Sequence, residues 1–300
     1  MKILIAYDGS ECAEAALHDL RRAGLPPQVE ARIISVSEMV LPPPMSYTLP
    51  STGAVELQKV LEHNALDLAQ DASRRIQEGF PEWKIEVEAH PGSPANAIIS
   101  IADEWHPDLI VVGSHGRSAM GRLILGSVSQ TVLNEAHCSV RVARGRISQA
   151  IEDFTSPVRI IVGVDGSKIA EAAVGVIAGR KWPRGSQVRI LNADFNISPV
   201  ATEHILVAIA NWIAEERARI NQSVELALRT LQKAGLEAQA IVKPGDAKQL
   251  LLDEAETWKA DCIFLGAKNL TRAGRLRLGS VSSSIAARAH CSVEVIRLAG

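Results

Sequence analysis

Gly113-Ser-His-Gly116-Arg117, followed by Gly121-Arg-Leu-Ile-Leu-Gly126-Ser-Val-Ser129, is the stretch on which the fold turns. It comes back 153 residues later as Gly266-Ala-Lys-Asn269-Leu270, followed by Gly274-Arg-Leu-Arg-Leu-Gly279-Ser-Val-Ser282. The same spacing pairs Pro91-Gly92 with Pro244-Gly245, Trp105 with Trp258, and Asp108 with Asp261. It also pairs Ala136-His-Cys-Ser-Val140 with Ala289-His-Cys-Ser-Val293. Upstream, Tyr7-Asp-Gly-Ser10 returns as Val164-Asp-Gly-Ser167 at a spacing of 157, so four residues of slippage lie inside each copy. Chance does not align tryptophan with tryptophan and His-Cys-Ser-Val with itself at one spacing. The chain is a duplication.

Working outward, each glycine loop follows a short apolar run, Leu109–Val112 or Cys262–Leu265, of the kind that forms a fully buried strand. Further strands are predicted at Lys2–Tyr7, Arg32–Val36, Ile85–Ala89 and Ser139–Ala143, and at Arg159–Val164, Gln187–Ala193, Ala238–Val242 and Ser292–Ile296. Between them lie helical patterns over Glu11–Ala23 and about Glu56–Gln77, then from Pro94 and from Ser127. The second copy has them over Lys168–Ala178 and His204–Lys233, then from Ala247 and from Ser280. Serines 10 and 167 stand where they can cap the helices that follow. Alternation of apolar strands with helices implies a parallel sheet covered on both faces. The fold class is therefore α/β: two tandem doubly wound domains, each with a five-stranded parallel sheet. The first is expected over residues 1–145 and the second over 158–300. The polar, proline-ended stretch 146–157 reads as a linker.

Composition narrows the function. At 300 residues the chain suits two domains, and 47% apolar with 22% charged residues is ordinary for a globular protein with real cores. A formal charge of −2 lacks the basic surplus that nucleic acid or an anionic membrane requires. Aromatic residues, at 4%, supply no run of stacking platforms. The four cysteines form no Cys-x-x-Cys pair and stand near no zinc-type histidine spacing, which fits a reducing compartment and no structural metal. The apolar opening is too short for a secretory signal, and no run is long enough to span a bilayer. A cytoplasmic location is the expectation.

In a doubly wound sheet, ligands sit outside the carboxyl ends of the strands, where the strand order reverses. Asp8 follows the first strand there, and Gly113–Arg117 follows the fourth. Glycines allow main-chain amides to approach a phosphate closely. A helix starting at Ser127 adds unpaired N–H groups and the positive end of its dipole. The hydroxyls of Ser127 and Ser129 and the charges of Arg117 and Arg122 complete an anion cradle. Asp8 also has a plainer reading as a turn residue in Asp-Gly, as does Asp165.

Gly113-x2-Gly116-x9-Gly126-Ser127, together with Ile3-Leu-Ile-Ala-Tyr-Asp8 and Asp108-Leu-Ile-Val-Val-Gly-Ser-His-Gly-Arg117, resembles the universal stress protein family over both halves of the chain. The resemblance implies a Rossmann-like α/β/α sandwich and a site for ATP, or for ADP or AMP, with Mg2+ accompanying the nucleotide. By that likeness Ala6, Asp8 and Val36 would hold adenine and ribose. Gly113, Ser114, His115, Gly116, Arg117, Gly126, Ser127, Val128 and Ser129 would hold ribose and phosphates. It also implies that the two domains pair through their last strands, and a homodimer of whole chains is a further expectation.

The second copy departs from this pattern. Its second glycine is Asn269, and Leu270 replaces the arginine. Asparagine tolerates a left-handed turn, yet its side chain takes space that a phosphate needs. Asp165, Ala193, Gly266, Lys268, Asn269, Gly279, Ser280, Val281 and Ser282 thus form a second, lesser site, for a nucleotide held weakly or not at all. No catalytic residue and no metal ligand set is expected in either copy. No carboxylate lies between Gly113 and Ser129, and there is no Gly-x4-Gly-Lys-Ser/Thr loop. A nucleotide-binding regulatory protein is the leading reading, a weak ATPase or phosphotransferase the enzymatic alternative, and a scaffold with dead pockets the third. His137-Cys138 and His290-Cys291 suggest paired chemistry, but neighbours on one strand point to opposite faces and cannot share a site.

Overall fold

The computed structural model describes residues 1–38, 51–116, 125–144, 154–194, 203–267 and 278–298. The side chains of residues 51–52, 203–209 and 211 lie outside that description. The chain divides into two compact units, one over the first half and one over the second.

In the first unit the order is β1 (Lys2–Ala6), α1 (Glu11–Leu20), β2 (Glu30–Ser37), α2 (Ser51–Gly79), β3 (Lys84–Pro91), α3 (Pro94–Trp105), β4 (Leu109–Gly113), α4 (Ser127–Glu135) and β5 (Ser139–Ala143). Its sheet runs β3-β2-β1-β4-β5, and every pairing within it is parallel. The chain thus winds outward from β1 to β3, returns past β1, and continues the other way through β4. That reversal puts the crevice between the carboxyl ends of β1 and β4.

The second unit repeats the plan with β6 (Arg159–Gly163), α5 (Lys168–Gly179), β7 (Gln187–Asp194), α6 (Glu203–Lys233), β8 (Glu237–Pro244), α7 (Ala247–Trp258), β9 (Cys262–Gly266), α8 (Ser280–Arg288) and β10 (Ser292–Ile296). Its strands run β8-β7-β6-β9-β10, again all parallel.

Apolar alternation dictates the layering. Ile3, Ile5, Ile33, Leu109 and Val111 face the helices α1 and α2, meeting Ala13, Ala16, Leu17, Leu20, Ala69, Ala72 and Ile76. Their neighbours Leu4, Ile34, Ile110 and Val112 point to the opposite face and are equally buried, which is why these strands read as unbroken apolar runs. Burying each such side chain contributes roughly 1.5–3 kcal/mol. In the second unit Ile160, Val162, Val188, Ile190 and Phe264 meet Ala173, Val174 and Ile177 of α5 and Ile220, Val224, Ala227 and Leu231 of α6.

Local signals set the helix ends. Ser10 Oγ accepts the Ala13 N–H at 3.2 Å, and Ser167 Oγ accepts the Ala170 N–H at 3.3 Å, as caps to α1 and α5. Several elements exceed the predicted spans. α2 begins at Ser51 rather than near Glu56, and β2, β3, β7 and β8 gain one or two residues at their ends. The added strand residues include polar ones such as Glu30, Lys84, Glu237 and Asp194, whose side chains hid the ladder from a reading by hydrophobicity. His137 and Cys138 lie in a bend before β5 and not on it, so the opposite-faces argument does not apply to them. His137 instead stands 3.8 Å from Asp103, both side chains well exposed. None of the four cysteines is joined in a disulfide. Among the described residues no helix is long and apolar enough to cross a membrane.

Candidate functional site

The crevice of the first unit is bounded by the turn after β1, the loop after β4 and the start of α4. The turn is Asp8-Gly9-Ser10. Asp8 Oδ1 accepts the Ser10 N–H at 3.0 Å, and Gly9 takes φ 74°, a left-handed conformation that suits glycine. Through Oδ1, Asp8 thus acts as a turn residue. Its other oxygen, Oδ2, faces the glycine loop: a Cβ on Gly116 would lie 3.0 Å from it. Ser10 Oγ, besides capping α1, lies 3.4 Å from the His115 carbonyl and ties the two loops together.

The three glycines have different reasons to be glycine. At Gly113 a Cβ would fall 2.9 Å from the backbone carbonyl carbon and oxygen of Cys12, so its bareness admits the first turn of α1 against β4. That is a packing reason, and it stands beside any role toward a phosphate. At Gly126 a Cβ would come within 3.2 Å of His115 Cα and 3.3 Å of Ser114 O. Here the helix start is pressed onto the loop, and the Gly126 N–H donates to Ser114 O at 2.8 Å.

α4 begins with Gly126 as N-cap, and no side chain caps it. Its first internal hydrogen bond runs from Gln130 N–H to Gly126 O, at 2.9 Å. The N–H groups of Ser127, Val128 and Ser129 precede that bond and belong to the unsatisfied first turn of a helix. Ser127 is exposed and Val128 half-buried. Ser129 is buried, and its hydroxyl already donates to Gly113 O at 2.7 Å, with Ser114 O at 3.3 Å. The hydroxyl of Ser129 is thus a strut of the loop, and only its backbone can serve a ligand. Ser282 does the same in the second unit, donating to Gly266 O at 2.9 Å.

His115 lies within this loop. Its Nδ1 is 3.1 Å from Ser114 Oγ, whose own proton points to Cys12 Sγ at 3.6 Å. Nε2 is buried and finds no partner among the described residues. Burial, and then the nearby charge of Arg144, push the imidazole below its ordinary value. A histidine that resists protonation in the fold makes stability fall on acidification. The unfolded chain takes up a proton as pH drops through the ordinary value near 6.5, and the folded chain does not until lower pH. The loss should set in below about pH 6.5 and level off beneath the lowered folded value. Thermal melts from pH 7.5 to 5 should therefore show a steeper acid decline for the native chain than for His115→Gln; identical slopes would refute this role.

Ala6 and Val36 stand half-buried at the carboxyl ends of β1 and β2, beside the Asp8 turn. Arg117 lies outside the described residues, as do Arg122, Lys268 and Asn269. In the second unit Gly266, Gly279, Ser280, Val281 and Ser282 repeat the strand-end and helix-start geometry, and Ala193 lies near the end of β7. Asp165 is exposed, its Oδ1 taking both the N–H and the hydroxyl of Ser167, at 3.0 and 2.5 Å. Reasoning from sequence gives Ser10 only its capping role and passes over Gly9 and Cys12 at this site, Gly9 having no signal but the Asp-Gly-Ser turn and Cys12 none. It also passes over Asn192 and Arg219, which shape the second crevice. Among the described residues no group of three metal-ligating side chains is assembled.

Fold and crevice together define a tandem pair of doubly wound domains, each with a glycine at the end of its fourth strand and a Gly-Ser helix start facing its switch point. The Universal stress protein family model matches residues 1–144 and again 158–297, and the chain belongs to that family. It is similar to a universal stress protein of Methanocaldococcus jannaschii, 34% identical over 146 residues, covering 48% of this chain and 81% of that one. A universal stress protein of Mycolicibacterium smegmatis aligns over both halves, 25% identical across 98% of this chain and 96% of its own. Among solved structures, a universal stress protein from Archaeoglobus fulgidus superposes over 100% of this chain and 98% of that one, with a TM-score of 0.65 and 18% identity, and shares the fold.

Proposed function

We propose that this chain is an ATP-binding regulatory protein of the stress response, working in the reducing interior of the cell, and that its nucleotide sits in the first unit. One observation carries the reading: α4 opens on Gly126 with no side-chain cap among the described residues, and the Gly126 N–H bond to Ser114 O sets the first turn, Ser127, Val128 and Ser129, beside the Gly113–Gly116 loop. The N–H groups of that turn and the helix dipole suit the phosphates, while Ala6, Asp8 and Val36 at the neighbouring strand ends suit adenosine. ADP or AMP fits the same donors. Magnesium would arrive with the phosphates. Output through conformation or partner exchange, without fast turnover, accords with a loop that holds no carboxylate from Gly113 to Ser129.

Mass spectrometry of the material released on denaturing the purified chain should find an adenine nucleotide. After that nucleotide is stripped, ATP at about a hundredfold excess over Kd should stabilise the protein by about 2.7 kcal/mol, seen as a Tm rise of several degrees. A stripped chain whose melting is indifferent to adenine nucleotides at millimolar concentration would overturn the proposal.

A further inference from the structure

The two copies present the turn after their first strand differently. Gly9 is exposed, whereas its counterpart Gly166 is buried, although both take φ 74°. What covers Gly166 is Arg219, reaching over from α6. Its Nη1 donates to the Gly166 carbonyl, and a Cβ on Gly166 would lie 2.8 Å from that nitrogen and 3.1 Å from Cζ. The guanidinium thus lies flat on the turn. Glu216, one helical turn earlier, fixes it through Nε at 2.9 Å and Nη2 at 2.5 Å. This hydrogen bond holds the Glu216 carboxyl below its ordinary value, so the pair stays charged.

A second side chain works on the same strand end. Asn192 is buried near the end of β7, and its Nδ2 donates to the Val164 carbonyl at 2.7 Å, one residue before Asp165. Arg217 adds a third tie from α6, meeting Asp194 Oδ2 at 3.1 Å. The main-chain acceptors of Val164 and Gly166, which border the crevice of the second unit, are therefore both engaged by the protein's own nitrogen donors.

The first copy lacks these donors at matching positions. Register of β2 with β7 sets Ser35 opposite Asn192 in the repeat, since Glu30–Ser37 corresponds to Gln187–Asp194. The buried faces of α2 and α6, Ala65, Ala69, Ala72 and Ile76 against Ile220, Val224, Ala227 and Leu231, set Asn64 at the position of Arg219. Asn64 is exposed and shorter by several bonds.

We propose that the second copy is self-occluded: Arg219, with Asn192, occupies the adenosine side of its crevice and restricts the chain to one nucleotide. This rests on the nucleotide reading of the first unit and deepens it. It adds that loss of the second site does not follow from Asn269 alone. A guanidinium has the planar shape and the donor edge to take over the carbonyl contacts that a base or ribose hydroxyl would make.

The test is the ATP stoichiometry of the full-length chain by calorimetry, with the melting temperature read in parallel to confirm folding. Native chain should bind a single equivalent, and Asn269→Gly should still bind one. Asn269→Gly combined with Arg219→Asn and Asn192→Ser, the residues of the first copy, should bind a second equivalent. That second equivalent should persist when Gly126→Val is added to disable the first cradle. Two equivalents on the native chain, or on Asn269→Gly alone, would overturn the occlusion. So would a folded triple variant that stays at one. A native chain that binds none instead sinks the nucleotide reading, which keeps the two failures apart.

Discussion

Gly126→Val is expected to lower ATP affinity by about 100-fold or more, close to 3 kcal/mol, while the chain stays folded. The backbone of Gly126 is extended, φ −64° and ψ 154°, so valine meets no conformational barrier there. The cost is contact. Its Cβ would arrive 3.2 Å from His115 Cα, 3.3 Å from Ser114 O and 3.7 Å from Gly116 N, all main chain, with two methyl groups still to place. The loop must then move outward. The 2.8 Å bond from Gly126 N–H to Ser114 O lengthens, and so do the Ser129 hydroxyl bonds to Gly113 O and Ser114 O. The amides at the start of α4 lose their alignment with the loop. Core strands β1 and β4 are untouched, so stability should drop by only about 1–3 kcal/mol. Calorimetry of the stripped variant, set beside its urea midpoint, separates the two effects. Affinity within a few-fold of the native value would mean that the cradle does not hold the nucleotide. Gly116→Val makes a milder comparison, because its nearest obstacle is the mobile end of Asp8 at 3.0 Å.

The fold was legible because each domain is written twice. A lone Gly-x2-Gly is weak, but at one spacing with Trp105, Trp258 and the His-Cys-Ser-Val runs it fixes ten strand positions in register. Strands buried on both faces, such as Leu109–Val112 and Cys262–Leu265, gave apolar runs that no helix reading fits. Edges were less clear. β3 and β8 carry Glu86, Glu88, Gln239 and Lys243, mostly exposed, and alternation there is blurred because one face meets solvent. For the site, the spacing of the glycines named the loop, yet it could not say that Gly113 is bare to admit Cys12, or that Ser129 braces the loop instead of the ligand. Those are properties of tertiary neighbours, Cys12 about 100 residues from Gly113 and the Gly113 and Ser114 carbonyls 16 and 15 residues from Ser129. The occlusion of the second copy was invisible for the same reason, since Arg219 sits on an amphipathic helix where an arginine reads as solvated surface.

Arg180→Met is expected to be the most damaging single change in the second unit, lowering its stability by about 3–5 kcal/mol. The reason lies in the last strands, where Val140-Arg141-Val142 and Val293-Glu294-Val295 occupy matching places but carry opposite charges. An ionised residue between two valines suggests an outward face, yet both side chains are 1% exposed. Each unit answers with an opposite charge at the end of its first helix. Asp19 receives Arg141 through Nε at 2.5 Å and Nη2 at 3.0 Å. Arg180 grips both oxygens of Glu294, through Nη1 at 2.9 Å and through Nη2, while its Cζ lies 5.2 Å from the centre of the Phe264 ring. Desolvating the two ions costs nearly what their attraction returns, so the intact pair contributes little net stability. Breaking it is another matter, because the carboxylate stays buried after its bidentate partner has gone. Arg180→Met with Glu294→Met should therefore recover most of the loss, the methionines filling similar volume without charge. Urea unfolding followed through Trp182, which packs edge-on to Phe264 at 6.1 Å, reports on this unit. If the double variant is as unstable as the single one, the damage comes from packing and the charge argument fails. Recovery would show that the pair serves to fix where α5 ends against β10, at little gain in stability.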